Sequence, residues 1–129
     1  MNVGLAVAGS LCFLLAGGHT LTGRLVLDSM PRNFQATRFG DGAYTRGLFV
    51  FTWHVLTLML ITTGVLLIAF AQAGSAEERR AVAFVVGVAY GVAALLLAWM
   101  ARKRPSDLMR IPVWAPFIAI TVLCWLNAL

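Results

Sequence analysis

GLFVFTWHVLTLMLITTGVLLIAFAQAGSA, residues 47–76, contains no charged side chain. At 1.5 Å of rise per residue, a helix of that length exceeds the roughly 30 Å hydrocarbon core of a bilayer. A chain crossing that core must satisfy its backbone polar groups internally, which a helix does. Three further charge-free stretches flank it: Met1 to Gly23, Ala81 to Ala101 and Ile111 to Leu129. Each has about the 20 residues that a helical crossing needs. The expected fold is all-α, a four-transmembrane-helix bundle forming one transmembrane domain over residues 1–129. Its spans are expected at about 1–23, 47–72, 79–101 and 110–128.

Composition agrees. The chain is 60% hydrophobic, with a mean hydropathy of +0.86, too apolar for the surface of a small soluble domain. The net charge of +5 would suggest nucleic acid in a soluble protein, but here the charges fall in the connections. Anionic lipid headgroups are the expected partners, and no basic helix with interleaved aromatics supports nucleic-acid binding. Arg24, Arg46, Arg102, Lys103, Arg104 and Arg110 are the candidate headgroup anchors.

Charge asymmetry predicts orientation. The first connection holds Arg24, Arg32, Arg38 and Arg46, and the third holds Arg102, Lys103, Arg104 and Arg110. The second has only Arg79 and Arg80, beside Glu77 and Glu78. Connections one and three are therefore expected in the cytoplasm, with both termini on the non-cytoplasmic side. No Lys or Arg precedes Arg24, so the first span reads as a retained helix and not as an ordinary signal peptide.

The connections differ in kind. Gly74 suits a left-handed helix stop, and Ser75 with Glu78 has capping-box spacing, so spans two and three are expected to form a tight antiparallel hairpin. Residues 24–46 make a long first connection whose Leu25, Val26, Leu27, Met30 and Phe34 suit the headgroup zone. In the third, Pro105 would stop span three, and Pro112 and Pro116 lie near the start of span four.

Helices in lipid associate through close backbone approach and interhelical hydrogen bonds. Span three carries a helix-packing stripe of Ala83, Gly87, Gly91, Ala94 and Ala98, in which Gly87 and Gly91 form a GxxxG match. It would serve packing within the monomer or association with another copy or protein. Span one has a similar face at Ala8, Gly9, Cys12 and Ala16, so spans one and three are expected to approach closely. Cys12 and Cys124 are expected to be free, buried thiols. Trp53, Trp99, Trp114 and Trp125 fall near span ends, where an interfacial aromatic belt would lie.

Two histidines lie within the spans, at comparable depth. His19 is about 7–8 Å inward of Arg24 and His54 about 12 Å inward of Arg46. They are the candidate cofactor-binding residues, and three readings stand open. Each imidazole is hydrogen-bonded to a threonine hydroxyl or a carbonyl; or the pair ligates haem iron or a metal ion; or it titrates and moves protons. No catalytic set is expected: the spans hold no carboxylate pair, and Ser10 has no base beside it. Zinc-type Cys/His spacing is missing too.

Phe51-Thr52-Trp53-His54-Val55-Leu56-Thr57, Gly17-Gly18-His19 and Arg110-Ile111-Pro112-Val113-Trp114 together resemble a family of small, uncharacterised four-helix bacterial integral membrane proteins. Its members carry a histidine after the first span and a Trp-His pair in the second. The resemblance implies the four-helix fold and a bacterial cytoplasmic membrane. It singles out His19, Trp53 and His54 without supplying an activity. The expected function is that of a non-enzymatic membrane protein, a small accessory or assembly subunit packing against other membrane proteins. Alternatives are a haem- or metal-binding redox protein using the paired histidines, and a small oligomeric transporter or channel lined by Thr57, Thr62, Thr63 and Thr121.

Overall fold

The computed structural model describes residues 1–29, 38, 40–102 and 114–129. It is all-α, with helices α1 (Val3–Ser29), α2 (Gly42–Ala73), α3 (Ala76–Ala101) and α4 (Trp114–Ala128). The first three are long and apolar enough to cross a membrane. At 15 described residues α4 spans about 22 Å, short of a full crossing, and positions 110–113 of the expected fourth span lie outside the described residues.

Helix ends follow their caps. Asp41 accepts from the Tyr44 N–H at 2.8 Å and starts α2 five residues before its charge-free run. Ser75 and Glu78 form both arms of the expected capping box: Ser75 N–H to Glu78 Oε2 at 2.8 Å and Glu78 N–H to Ser75 Oγ at 3.3 Å. Gly74 corrects its expectation, since it is extended (φ −70, ψ 146) and not left-handed. Its value is steric, because a Cβ there would lie 2.8 Å from the Phe70 carbonyl oxygen, which accepts the Gly74 N–H. The α1 helix runs six residues past Gly23, through exposed Arg24, so the first connection is shorter than expected.

The helices alternate in direction. Asn2 N–H donates to the Ala71 carbonyl at 2.8 Å, tying the start of α1 to the end of α2. Gly4 packs on Asn127 near the end of α4, and Gly87 and Gly91 of α3 face Cys124, Trp125 and Thr121 of α4. Extensive packing joins α1 to α2 and α3 to α4, and α1 also lies against α4. By contrast α2 and α3, joined by the tight turn, touch little. An open apolar cleft lined by Leu66, Ala81, Val82, Val85 and Val86 separates them.

The expected close approach of spans one and three is therefore corrected. Glycines on α2 and α4's larger side chains take those faces instead. A Cβ on Gly9 would lie 2.9 Å from the Gly64 carbonyl oxygen, and one on Gly64 would lie 3.0 Å from that of Gly9. Backbone meets backbone there, the close approach that substitutes for hydrophobic driving force in lipid. On α3, Gly87 and Gly91 leave room for Trp125 and Thr121 of α4. The stripe thus packs within the monomer at Ala83, Gly87 and Gly91, while Ala94 is half-buried and Ala98 exposed.

Leu5, Ala8, Cys12, Leu67, Ala71, Ala83, Ile120 and Cys124 form a wholly buried core drawn from all four helices. Outside it the surface is greasy: Leu14, Leu58, Val85, Leu95 and Leu126 are 63–72% exposed. Water would penalise such a surface, and hydrocarbon would not.

Candidate functional site

Two antiparallel helices, α1 and α2, bring His19 against Trp53. The imidazole stacks on the indole with centroids 4.1 Å apart and planes 5° from parallel. Trp53 Nε1–H donates to the His19 carbonyl at 3.1 Å, and His19 Nε2 lies 3.3 Å from the Trp53 carbonyl. A carbonyl only accepts, so Nε2 carries the hydrogen and Nδ1 holds the lone pair of the neutral ring. Each side chain thus reaches across to the other residue's backbone. One turn on from His19, Gly23 makes this possible: any Cβ there would collide with the indole nitrogen. Phe49 backs the indole at 5.6 Å, and the Thr57 hydroxyl also donates to the Trp53 carbonyl at 3.3 Å.

His54 does not join this pair. It follows Trp53 by one residue, about 100° around the helix, and is exposed. Trp53, and not His54, occupies the place opposite His19. Only Nδ1 of His19 retains a lone pair for a ligand, and the described residues contain no group of three His, Cys, Asp or Glu that could hold a metal ion. Trp53 also departs from the expected aromatic belt, because it is half-buried against α1. Trp99 and Trp125 are exposed as a belt requires, at 58% and 40%.

A second polar node lies deeper. The Cys12 thiol and Tyr90 hydroxyl are 3.3 Å apart, linking α1 to α3 across the core. Tyr90 stacks obliquely on Phe117 of α4 at 5.3 Å, and Thr63 of α2 and Cys124 of α4 border the same phenol. All four helices therefore meet at one tyrosine. Sequence reading passed over it, although a phenol in a charge-free span needs a partner and could have been singled out on that ground. Both cysteines are free and buried, as expected. Tyr90→Phe is expected to lower stability by about 1 kcal/mol, the usual worth of one interhelical hydrogen bond in lipid. Parallel loss in Cys12→Ala, with no further loss in the double variant, would be read from denaturant titrations in detergent.

Five hydroxyls of the described spans turn back on their own helices. Ser10, Thr20, Thr52, Thr57 and Thr121 each donate to the carbonyl four residues earlier. Arg24, Arg46 and Arg102 are exposed, and the Arg102 guanidinium lies 4.6 Å over the Trp99 ring. Lys103, Arg104 and Arg110 lie outside the described residues. No known protein family, no curated protein and no solved structure matches the chain.

Proposed function

We propose that the protein is a non-enzymatic, multi-pass component of a bacterial cytoplasmic membrane, an accessory or assembly subunit that works by packing against other membrane proteins. Both termini face away from the cytoplasm in this reading. Arg24, Arg46, Arg102, Lys103, Arg104 and Arg110 hold the opposite end at anionic headgroups. The supporting observation is how the reactive side chains are used. His19 is engaged with a backbone carbonyl, Tyr90 with a thiol, and the hydroxyls of Thr20, Thr57 and Thr121 with carbonyls of their own helices. The His19 and Tyr90 contacts fasten helices together, the hydroxyls are spent within their own helices, and the surface left over is apolar and available to lipid or to other helices.

The test is purification from the native membrane in a mild detergent, followed by native mass measurement. The expected result is the 13.9 kDa chain held in fixed stoichiometry within a larger assembly that contains a second membrane protein. Recovery of the chain with no other protein, from membranes at native abundance, would contradict the proposal.

A further inference from the structure

His54 and the glycines of α1 are unexplained by the packing inside one chain. His54 lies eight residues beyond Arg46, about 12 Å inward, and well within the charge-free run of α2. It is exposed there and makes no hydrogen bond to any described residue. Ionisable side chains inside spans nearly always face protein or a partner. On α1, Gly17 and Gly18 are likewise exposed, and a Cβ on either would meet nothing within 4 Å. Glycine weakens a helix interior, yet these two permit no close approach within the monomer.

His54 and Gly17 share one side and nearly one depth. Ile61, two turns from His54 on the same face of α2, also lines the open groove of about 410 Å³ formed with Phe13, Gly17 and Thr20 of α1. The stacked His19–Trp53 pair sets Thr20 and His54, their next neighbours in sequence on oppositely running helices, within about 3 Å of each other in height. A ridge of His54, Leu58 and Ile61 therefore runs beside a glycine-floored groove at the same level.

We propose that this face is the contact between two copies of the chain. Copies in one membrane share an orientation, so a two-fold axis along the membrane normal returns every residue to its own depth. That rotation lays the ridge of each copy into the groove of the other. It carries His54 to the second copy's Thr20, whose hydroxyl donates to Ala16 at 2.8 Å and keeps an oxygen lone pair free to accept. Gly17 gives the entering helix its close backbone approach. A lipid chain would fill the groove equally well but would leave the imidazole unpaired, which favours the second copy. The inference rests on the reading of the protein as one that acts through helix contacts, and it assigns one such contact.

The experiment is disulfide cross-linking in proteoliposomes, with Cys12 and Cys124 replaced by alanine. Mixed Thr20→Cys and His54→Cys proteins should cross-link on mild oxidation, while Leu95→Cys, exposed on α3, should not. Energy transfer between labelled copies should show association weakened about tenfold by His54→Leu or Gly17→Leu. Both replacements are at exposed positions, so unchanged helical signal in circular dichroism would show the monomer intact. Equal cross-linking at Leu95→Cys, or association unaffected by both variants, would overturn the proposal. A chain that stays monomeric in liposomes yet binds a different membrane protein would also overturn it while leaving the proposed function standing. A chain that binds neither would remove both.

Discussion

Gly64→Leu is expected to lower the stability of the bundle by about 3 kcal/mol, at the upper end of what overpacking costs. The first side-chain atom alone would sit 3.0 Å from the Gly9 carbonyl oxygen and 3.1 Å from the Phe13 ring. The phenyl ring can turn, but the carbonyl belongs to the α1 backbone and cannot. Relief therefore requires α1 and α2 to separate along the interface that also seats His19 on Trp53. Gly9→Leu should behave alike, because its Cβ would meet the Gly64 carbonyl at 2.9 Å. Gly17→Ala is the control: nothing stands near that position, and the change should stabilise α1 by up to about 1 kcal/mol. Unfolding in mixed micelles of rising SDS fraction, followed by circular dichroism, measures all three. A Gly64→Leu protein that unfolds at the wild-type SDS fraction would show that the two backbones are not in contact.

Trp53→Ala is expected to cost about 3 kcal/mol, the lower end for deleting a packed tryptophan. The indole is only half-buried, but its loss removes the stack on His19 and the hydrogen bond to the His19 carbonyl together, and opens a void over Gly23. Trp53→Phe should recover part of the packing and none of the N–H bond. Combining Trp53→Ala with His19→Ala isolates the pair. The cycle is expected to show coupling of about 1 kcal/mol or more, since the residues stack and exchange hydrogen bonds. Additive losses in the same SDS titration would mean that each side chain stabilises the fold separately. By comparison His54→Ala should leave monomer stability nearly unchanged, because that side chain is exposed.

Charge-free runs announced all four helices, three of them long enough to cross a membrane, because lipid imposes a length and a composition on anything that crosses it. Helix ends were less legible. A charged residue marks where hydrocarbon stops, not where a helix does, so α1 continues through Arg24 to Ser29. At the start of α2 the cue was local: Asp41, a residue type that favours N-caps, is the N-cap. The pairing of helices was not legible. Small residues on α1, α2 and α3 all permit close approach, and which pair meets depends on register across the bundle, which no single helix encodes. Gly64 therefore took the α1 contact that Gly87 and Gly91 were expected to make. The candidate site was half legible. His19 and Trp53 were both singled out, and a carbonyl was among the partners open to His19, but Trp53 was assigned to an interfacial belt and not to His19. The missing piece was Gly23, whose lack of a side chain admits the indole.

Hydrocarbon, and not water, is expected to surround this bundle between its charged ends. Labelling of single cysteines in sealed membrane vesicles by a membrane-impermeant maleimide tests it most directly, with Cys12 and Cys124 replaced by alanine to silence the background. Leu58→Cys, Leu95→Cys and Val122→Cys are all exposed on the protein surface and should stay unlabelled. Arg38→Cys and Ser75→Cys should label quickly, each from the opposite side of the membrane. Rapid labelling at Leu58→Cys, Leu95→Cys and Val122→Cys, at the rate of Ser75→Cys, would contradict the account.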